Sequence, residues 1–217
     1  CQMYCAHFVL LQIKLNETKQ TCNAICVHIV GGSQGGQKKT TQEQEDATDN
    51  PLIFPNPSDP GAHEVVSQGN FHGEIVALTC DGMSLALFEL GSISERRMDQ
   101  MLDPGRSGLP AFLATNSGLE SGLMIVQYVA GSSLAELHGQ ATPRSAFSTS
   151  TSAGQEDHVS MGATSAWNLV KGVERLSEVL ACELLIACEA LEHASLSTSA
   201  HVQGLYDLVR TLSPPLT

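Results

Sequence analysis

The residues best suited to chemistry in this chain form one short cluster, Gln155-Glu156-Asp157-His158. Adjacent carboxylates and an imidazole can bind a polar ligand, or exchange a proton with it, near neutral pH. The same residue types are also typical of helix starts, because acidic side chains in a first turn interact favourably with the helix dipole. The cluster alone therefore leaves two interpretations open, a reactive site and a helix entry.

The helices that must position this cluster are visible as apolar residues at steps of three and four. We expect the longest helix over about residues 157–192, with a stripe at Val173, Leu176, Leu180, Leu184, Ala187 and Leu191. The same spacing predicts a helix over residues 75–93, closed by the cations of Arg96 and Arg97. The moderately apolar residues 121–137 are also predicted to be helical, and residues 202–212 to form a short final helix before Pro214 and Pro215. Residues 139–154 are rich in Ser, Thr and Gly and are predicted to form a loop. No alternating strand pattern follows the first thirty residues, so we predict a mainly α-helical fold, a bundle of long helices.

Composition limits the partners of the chain. Its 217 residues, 42% of them hydrophobic, suffice for one sizeable core. The net charge of −12 argues against a nucleic-acid or anionic-membrane partner, since either would need clustered Lys and Arg. No apolar run approaches the roughly eighteen residues of a membrane span, so we predict none. Seven cysteines, without the spacing of a disulfide scaffold, favour a reducing, cytoplasmic location.

Residues 1–45 differ from the rest, and we predict a divergent leader or linker there, followed by a helical region over residues 46–217. Two Cys-x3-Cys pairs, Cys1/Cys5 and Cys22/Cys26, could each share a helix face, but structural zinc sites usually have tighter spacing. A predicted strand over residues 24–30 precedes a glycine-rich run, yet Gln37 interrupts the Gly-Lys-Thr order of a phosphate-binding loop. Buried thiols and a flexible linker are therefore favoured, and no metal site is predicted. A nucleotide- or metal-binding protein stays open as a third hypothesis.

Several short motifs follow one another over about residues 46–212, and their order and spacing, as well as their residues, can be compared with those of known families. They are Thr48-Asp49-Asn50-Pro51-Leu52-Ile53-Phe54, Gly69-Asn70-Phe71-His72-Gly73-Glu74, Ile93-Ser94-Glu95-Arg96-Arg97, Gly108-Leu109-Pro110-Ala111-Phe112-Leu113, Ser121-Gly122-Leu123-Met124-Ile125, Thr151-Ser152-Ala153, Gln155-Glu156-Asp157-His158-Val159-Ser160-Met161-Gly162 and Tyr206-Asp207-Leu208-Val209-Arg210. Together they resemble the histidine ammonia-lyase family, within the aromatic amino acid lyases. Residues 1–45 do not resemble it, so we expect the C-terminal portion of such an enzyme behind an unrelated leader.

The resemblance implies a fold, a reaction and a prosthetic group. It implies a mostly α-helical subunit whose long helices pack with those of neighbours, normally as a homotetramer. It also implies the non-oxidative deamination of L-histidine to urocanate and ammonia. The family's electrophile is a methylidene-imidazolone, made autocatalytically from an internal Ala-Ser-Gly, and it accepts electron density as ordinary side chains cannot.

This chain departs from that pattern in its reactive parts. Its Ser-Gly dipeptides are preceded by Arg106, Asn116 and Glu120, so no Ala-Ser-Gly is present. The tyrosine-bearing segment that supplies the family's base is also missing, together with the Arg that would hold the substrate carboxylate. We therefore expect no cofactor in this chain and no turnover by it alone.

Three positions match substrate-site residues of the family. By that resemblance Phe71 lines the pocket, Glu156 lies near the substrate imidazole, and Asn50 lies near the prosthetic group and substrate; Gln155 is a further pocket candidate. An aromatic wall packs a flat ring, and a carboxylate pairs with an imidazole. The structural alternatives are a core Phe71, a turn-forming Asn50 before a proline and a first-turn Glu156.

The neighbouring ionisable residues are given structural roles. Asp157 and His158 are predicted to shape the helix entry, and His72, like His158, to hold a local hydrogen bond near a helix start. The first hypothesis is thus a cytoplasmic histidine ammonia-lyase-like polypeptide that recognises L-histidine but is inactive alone. The rival hypothesis is a non-catalytic helical module that associates with itself or with intact lyase chains through its long helices.

Overall fold

The computed structural model describes residues 50–59, 61–67, 71–194 and 198–216. The predictions for the cysteine pairs, the early strand and the glycine-rich run lie outside these residues. Helices dominate what is described, which confirms the mainly α-helical prediction. The helices are α1 (Glu74–Leu102), α2 (Pro104–Ser107), α3 (Met124–Gln140), α4 (Gly162–Ala194) and α5 (Ala200–Leu212), with short 3₁₀ turns at Ala111–Leu113 and Ser152–Gly154.

A small β-hairpin precedes the helices and corrects the prediction that no strand follows the first thirty residues. Strands β1 (Leu52–Pro55) and β2 (His63–Val66) pair antiparallel, with Leu52 opposite Val66. The strands are four residues each, too short for an alternating pattern to stand out in the sequence. The proline-rich connection between them supplies the turn.

Helices α1, α3 and α4 form the bundle. Helix α1 packs mainly on α4, and α3 packs on both. The fully buried side chains of the core include Met98, Leu137 and Ile186 of these helices and Leu113 of the first 3₁₀ turn. Each of them stabilises the fold by about 1.5–3 kcal/mol through burial. At Gly91 a Cβ would lie 3.0 Å from Leu137 Cδ1, so the absence of a side chain lets α1 and α3 approach closely.

Helix α1 extends beyond its predicted end. Arg96 and Arg97 were expected to close it near residue 97, but α1 continues to Leu102. Arg97 turns inward, where its Nε lies 2.5 Å from Oε1 of the fully buried Glu183 on α4. The helix ends instead at Asp103, whose side chain accepts a hydrogen bond from the Gly105 amide at 2.8 Å and caps α2.

By length and composition α1 could also cross a membrane, because one window of it has a mean hydropathy of 1.4. The prediction that no stretch reaches this apolarity and length was therefore wrong. Core helices of soluble proteins meet the same criterion, and α1 gives part of its apolar surface to the bundle. Leu78, Leu85 and Ile93 remain exposed on it.

The cysteines of the described helices, Cys80, Cys182 and Cys188, are free thiols, as the absence of disulfide-scaffold spacing predicted. Burial raises the pKa of the Cys188 thiol to about 11. Burial also raises the pKa of Cys80 and of Cys182. Because the thiolate is the reactive form, these residues act as small hydrophobes and not as nucleophiles.

Candidate functional site

Two segments that precede long helices meet at one end of the bundle. Residues 71–74 lead into α1, and residues 155–158 lie shortly before α4. His72 Nε2 is 3.3 Å from Glu156 Oε2, and His158 Nε2 is 3.2 Å from Glu74 Oε2. The members of the second pair are 84 residues apart, and the first pair has the same separation. The order of histidine and carboxylate is reversed between the pairs, so each segment carries one of each.

The backbone around Glu156 is held in a tight turn. The amide of Thr151 donates to the Glu156 carbonyl at 3.0 Å, and the amide of Glu156 donates back at 3.3 Å. Between them Ser152 and Ala153 adopt left-handed φ angles of 53° and 57°. Such angles cost about 1–3 kcal/mol each for residues other than glycine and are found where the surroundings enforce them. The turn therefore gives the Glu156 backbone a fixed position.

Ser160 joins this loop to the segment before α1. Its buried hydroxyl donates to the backbone carbonyl of His72 at 2.5 Å and accepts from the Gly162 amide at 3.2 Å. One side chain thus connects the start of α4 with the residue that faces Glu156. Met161, next in the chain, has a left-handed φ of 51°, which redirects the backbone into α4.

A buried carboxylate of α1 anchors the chain before the turn. Asp81 Oδ2 accepts a hydrogen bond of 2.8 Å from the Ser145 amide. Burial raises the pKa of Asp81, but hydrogen bonding from Ser145 acts in the opposite direction, and the pKa lies below its usual value of 3.8. The ionised carboxylate is therefore the form that holds the loop.

The structure brings two of the predicted site residues near each other. The Phe71 ring is 41% exposed, and its centroid lies 4.1 Å from that of His72, which in turn faces Glu156. The side chain of Glu156 is 35% exposed, so a ligand can reach it. Gln155, next to Glu156, is exposed, and its backbone amide donates a hydrogen bond to the Ser152 carbonyl at 3.2 Å. Asn50 lies before the hairpin, where its Oδ1 accepts from the Ser67 hydroxyl at 3.1 Å.

The structural roles predicted for the ionisable neighbours need correction. Helix α4 begins at Gly162 and has no acidic residue in its first turn, so Asp157 and His158 lie outside the helix entry. The bonds of His72 and His158 are also not local, since each histidine pairs with a carboxylate of the other segment. Sequence spacing could not show this, because the pairing depends on how α1 packs against α4.

Glu74 and Ser160 were missed as members of the site. One signal was available: each segment places a histidine and a glutamate two positions apart, His72/Glu74 and Glu156/His158. The rings of His72 and His158 also meet edge to face, with centroids 6.1 Å apart. Within the described residues no group of three or more His, Cys, Asp or Glu side chains could hold a metal ion.

The arrangement can recognise a flat, hydrogen-bonding ring. An aromatic wall, an accessible carboxylate and two imidazoles lie together, and these groups can pack against a ring and form hydrogen bonds with it. A sequence-family model described as aromatic amino acid lyase matches residues 34–211 of the chain. The chain belongs to the aromatic amino acid lyases.

Individual lyases and a related mutase show how far the similarity extends. The chain is 50% identical over 170 residues to a histidine ammonia-lyase of Deinococcus radiodurans, a match covering 78% of this chain and 32% of that protein. A histidine ammonia-lyase structure from Trypanosoma cruzi aligns with a TM-score of 0.73 and 42% identity, covering 87% of this chain and 37% of the other. A phenylalanine aminomutase from Pantoea agglomerans aligns with a TM-score of 0.72 and 37% identity, covering 82% and 34%.

The lyase-like chain spans between a quarter and about a third of the length of the curated relatives it matches. The similarity therefore covers one portion of an aromatic amino acid lyase. The family match begins at residue 34 and includes the β-hairpin, both site segments and helices α1 to α4.

Proposed function

We propose that this chain supplies the imidazole-recognising part of a histidine ammonia-lyase, which deaminates L-histidine to urocanate and ammonia. The observation that supports the proposal best is the meeting of Phe71, His72 and Glu156, joined from distant parts of the sequence. The 50% identity to a histidine ammonia-lyase supports the same substrate. An acidic group suits an imidazole better than a phenyl ring, which favours histidine over phenylalanine.

The residues present would bind and orient a substrate. The exposed face of Phe71 offers an apolar surface to a flat ring, and the carboxylate of Glu156 can accept a hydrogen bond from a ring N–H. A carboxylate that is hydrogen-bonded to an imidazole also stabilises the protonated form of the imidazole. The tight turn from Thr151 to Glu156 fixes the backbone from which this carboxylate projects.

The residues of this chain do not fit the family's prosthetic group. That group forms from Ala-Ser-Gly, and the 217-residue sequence contains no Ala-Ser-Gly. The strained turn does contain Ser152-Ala153-Gly154, but the order differs and places alanine where the dehydrated serine would be needed. We therefore propose ligand recognition without turnover by this chain alone.

Calorimetric titration with L-histidine and L-phenylalanine tests the recognition. We expect weak binding of histidine, no binding of phenylalanine, and loss of histidine binding in Glu156→Gln. The ultraviolet absorbance of urocanate tests the second part. Equal binding of both amino acids would contradict histidine recognition, and urocanate formation by the purified chain would contradict the predicted inactivity.

The exposed apolar residues favour a second candidate function, association through the long helices. Leu85 and Ile93 on α1 and Trp167 and Val170 on α4 are each about half exposed or more. These residues lie on two helices that pack together, and large exposed apolar patches are typical of interfaces. Sedimentation analysis should show self-association that Leu85→Lys with Ile93→Lys weakens, whereas a monomer at all concentrations would count against this function.

A further inference from the structure

His72 is the residue of the site whose role the proposed function leaves open. Its Nε2 is 3.3 Å from Glu156 Oε2, and 28% of its side chain is exposed. A histidine at this distance holds the carboxylate by charge when protonated, and by its N–H when neutral with the proton on Nε2. The carboxylate therefore has a resident partner before any ligand arrives.

The position of His72 is itself determined from three sides. Its ring lies against Phe71, with a centroid separation of 4.1 Å, and meets the His158 ring edge to face at 6.1 Å. Its backbone carbonyl accepts the hydroxyl hydrogen bond of the buried Ser160. A side chain fixed in this way can transmit its position to the group that it contacts.

The second histidine pair supports the first. His158 Nε2 lies 3.2 Å from Glu74 Oε2, and this pair joins the same two segments with the reverse order of residue types. Because His158 contacts the His72 ring but pairs with Glu74, it can hold the segments together without bonding to Glu156. It therefore offers a matched control for the role of His72.

From these contacts we infer that His72 is a positioning residue, which orients the Glu156 carboxylate toward an incoming imidazole group. The inference rests on the proposed function, in which Glu156 receives the substrate ring. It assigns His72 no contact with the substrate. The alternative arrangement, in which His72 competes with the ligand for Glu156, predicts an effect of opposite sign.

Nuclear magnetic resonance titration of the 217-residue chain with imidazole tests the inference. We expect His72→Phe, which keeps the ring and removes its donor, to weaken binding about threefold, in line with a partly exposed ionic contact. His72→Gln, whose amide nitrogen replaces Nε2, should restore most of the affinity. His158→Phe should weaken binding less than His72→Phe does. Unchanged or tighter binding by His72→Phe would overturn the inference.

A double-mutant cycle separates this inference from the proposed function. The unfolding free energies of His72→Phe, Glu156→Gln and the double variant should be non-additive, because each change removes the same contact. Strict additivity would overturn the positioning role, whatever the imidazole titration shows. If the two changes are non-additive but the chain binds no imidazole, the contact between His72 and Glu156 is real but does not orient a carboxylate for a ligand. That result would overturn the inference, and the absence of binding would also count against the proposed function.

Discussion

Two contacts between a carboxylate and a basic side chain in this molecule have similar chemistry and different surroundings. Inside the bundle, Glu183 is fully buried and contacts Arg97 of α1 at 2.5 Å, with the buried Ser94 hydroxyl as a further donor. At the end of the bundle, His158 is more than half exposed beside Glu74. A buried charge that loses its partner stays unsolvated, whereas water replaces the partner of an exposed one. The buried pair is therefore structural, and the exposed pairs are able to adjust to a ligand.

Removing the buried cation should have the largest effect. We expect Arg97→Met to lower the free energy of unfolding by about 3–5 kcal/mol, since the fully buried Glu183 carboxylate would lose its guanidinium partner. Urea denaturation followed by circular dichroism measures the change. Arg106→Met is the control, because Arg106 is 57% exposed and its partner Asp99 is 32% exposed, so the change should cost less than about 1 kcal/mol. Equal effects of the two changes would remove the distinction between the regions.

The buried anchor of the loop should have the next largest effect. Asp81→Ala would leave the Ser145 amide without its acceptor, at a cost of about 1–3 kcal/mol. Asp81→Asn keeps an acceptor in place and should cost less. Hydrogen exchange of the Ser145 amide is the decisive measurement, since faster exchange in the alanine variant would locate the loss. An unaltered exchange rate would show that this carboxylate does not hold the loop.

The pH dependence of stability sharpens the comparison. Burial raises the pKa of Glu183 above 4.5, although its bonds to Arg97 and Ser94 act in the opposite direction. Between pH 4.5 and the higher pKa of Glu183 in the folded state, the folded state binds more protons than the unfolded state. The stability that protonation of Glu183 contributes is therefore complete below pH 4.5 and is lost as the pH rises through the pKa of the folded state. Glu183→Gln should lack that decline. The measurement is the unfolding free energy of the unchanged chain and of Glu183→Gln across the acid pH range. Parallel curves for the two would contradict this prediction.

Changes at the exposed pair should have the smallest effect on stability. We expect His158→Phe to alter the free energy of unfolding by less than about 1 kcal/mol, because this partly exposed pair is screened by solvent. Chemical-shift changes should be confined to residues 71–74 and 151–161. Shifts that spread through α3 would show instead that the histidine pairs are part of the bundle core.

The sequence predicted the parts of the fold that depend on local spacing. Steps of three and four through Leu176, Leu180, Leu184 and Ala187 identified α4. Of these residues Leu176, Leu180 and Ala187 are buried. The ends of the helices were less accurate. Arg97 has the charge of a helix-end residue, yet it pairs with a glutamate 86 residues away, and no local pattern reveals such a partner. The hairpin was missed because four-residue strands give too little alternation.

At the site the sequence by itself determined which chemical groups are available, and the motifs around Phe71 and Glu156 determined the family. It also determined that no Ala-Ser-Gly is present, since this depends only on residue order. Only the tertiary structure decided which carboxylate each histidine meets. The packing of α1 against α4 places the two segments side by side, and contacts between distant residues follow from that packing.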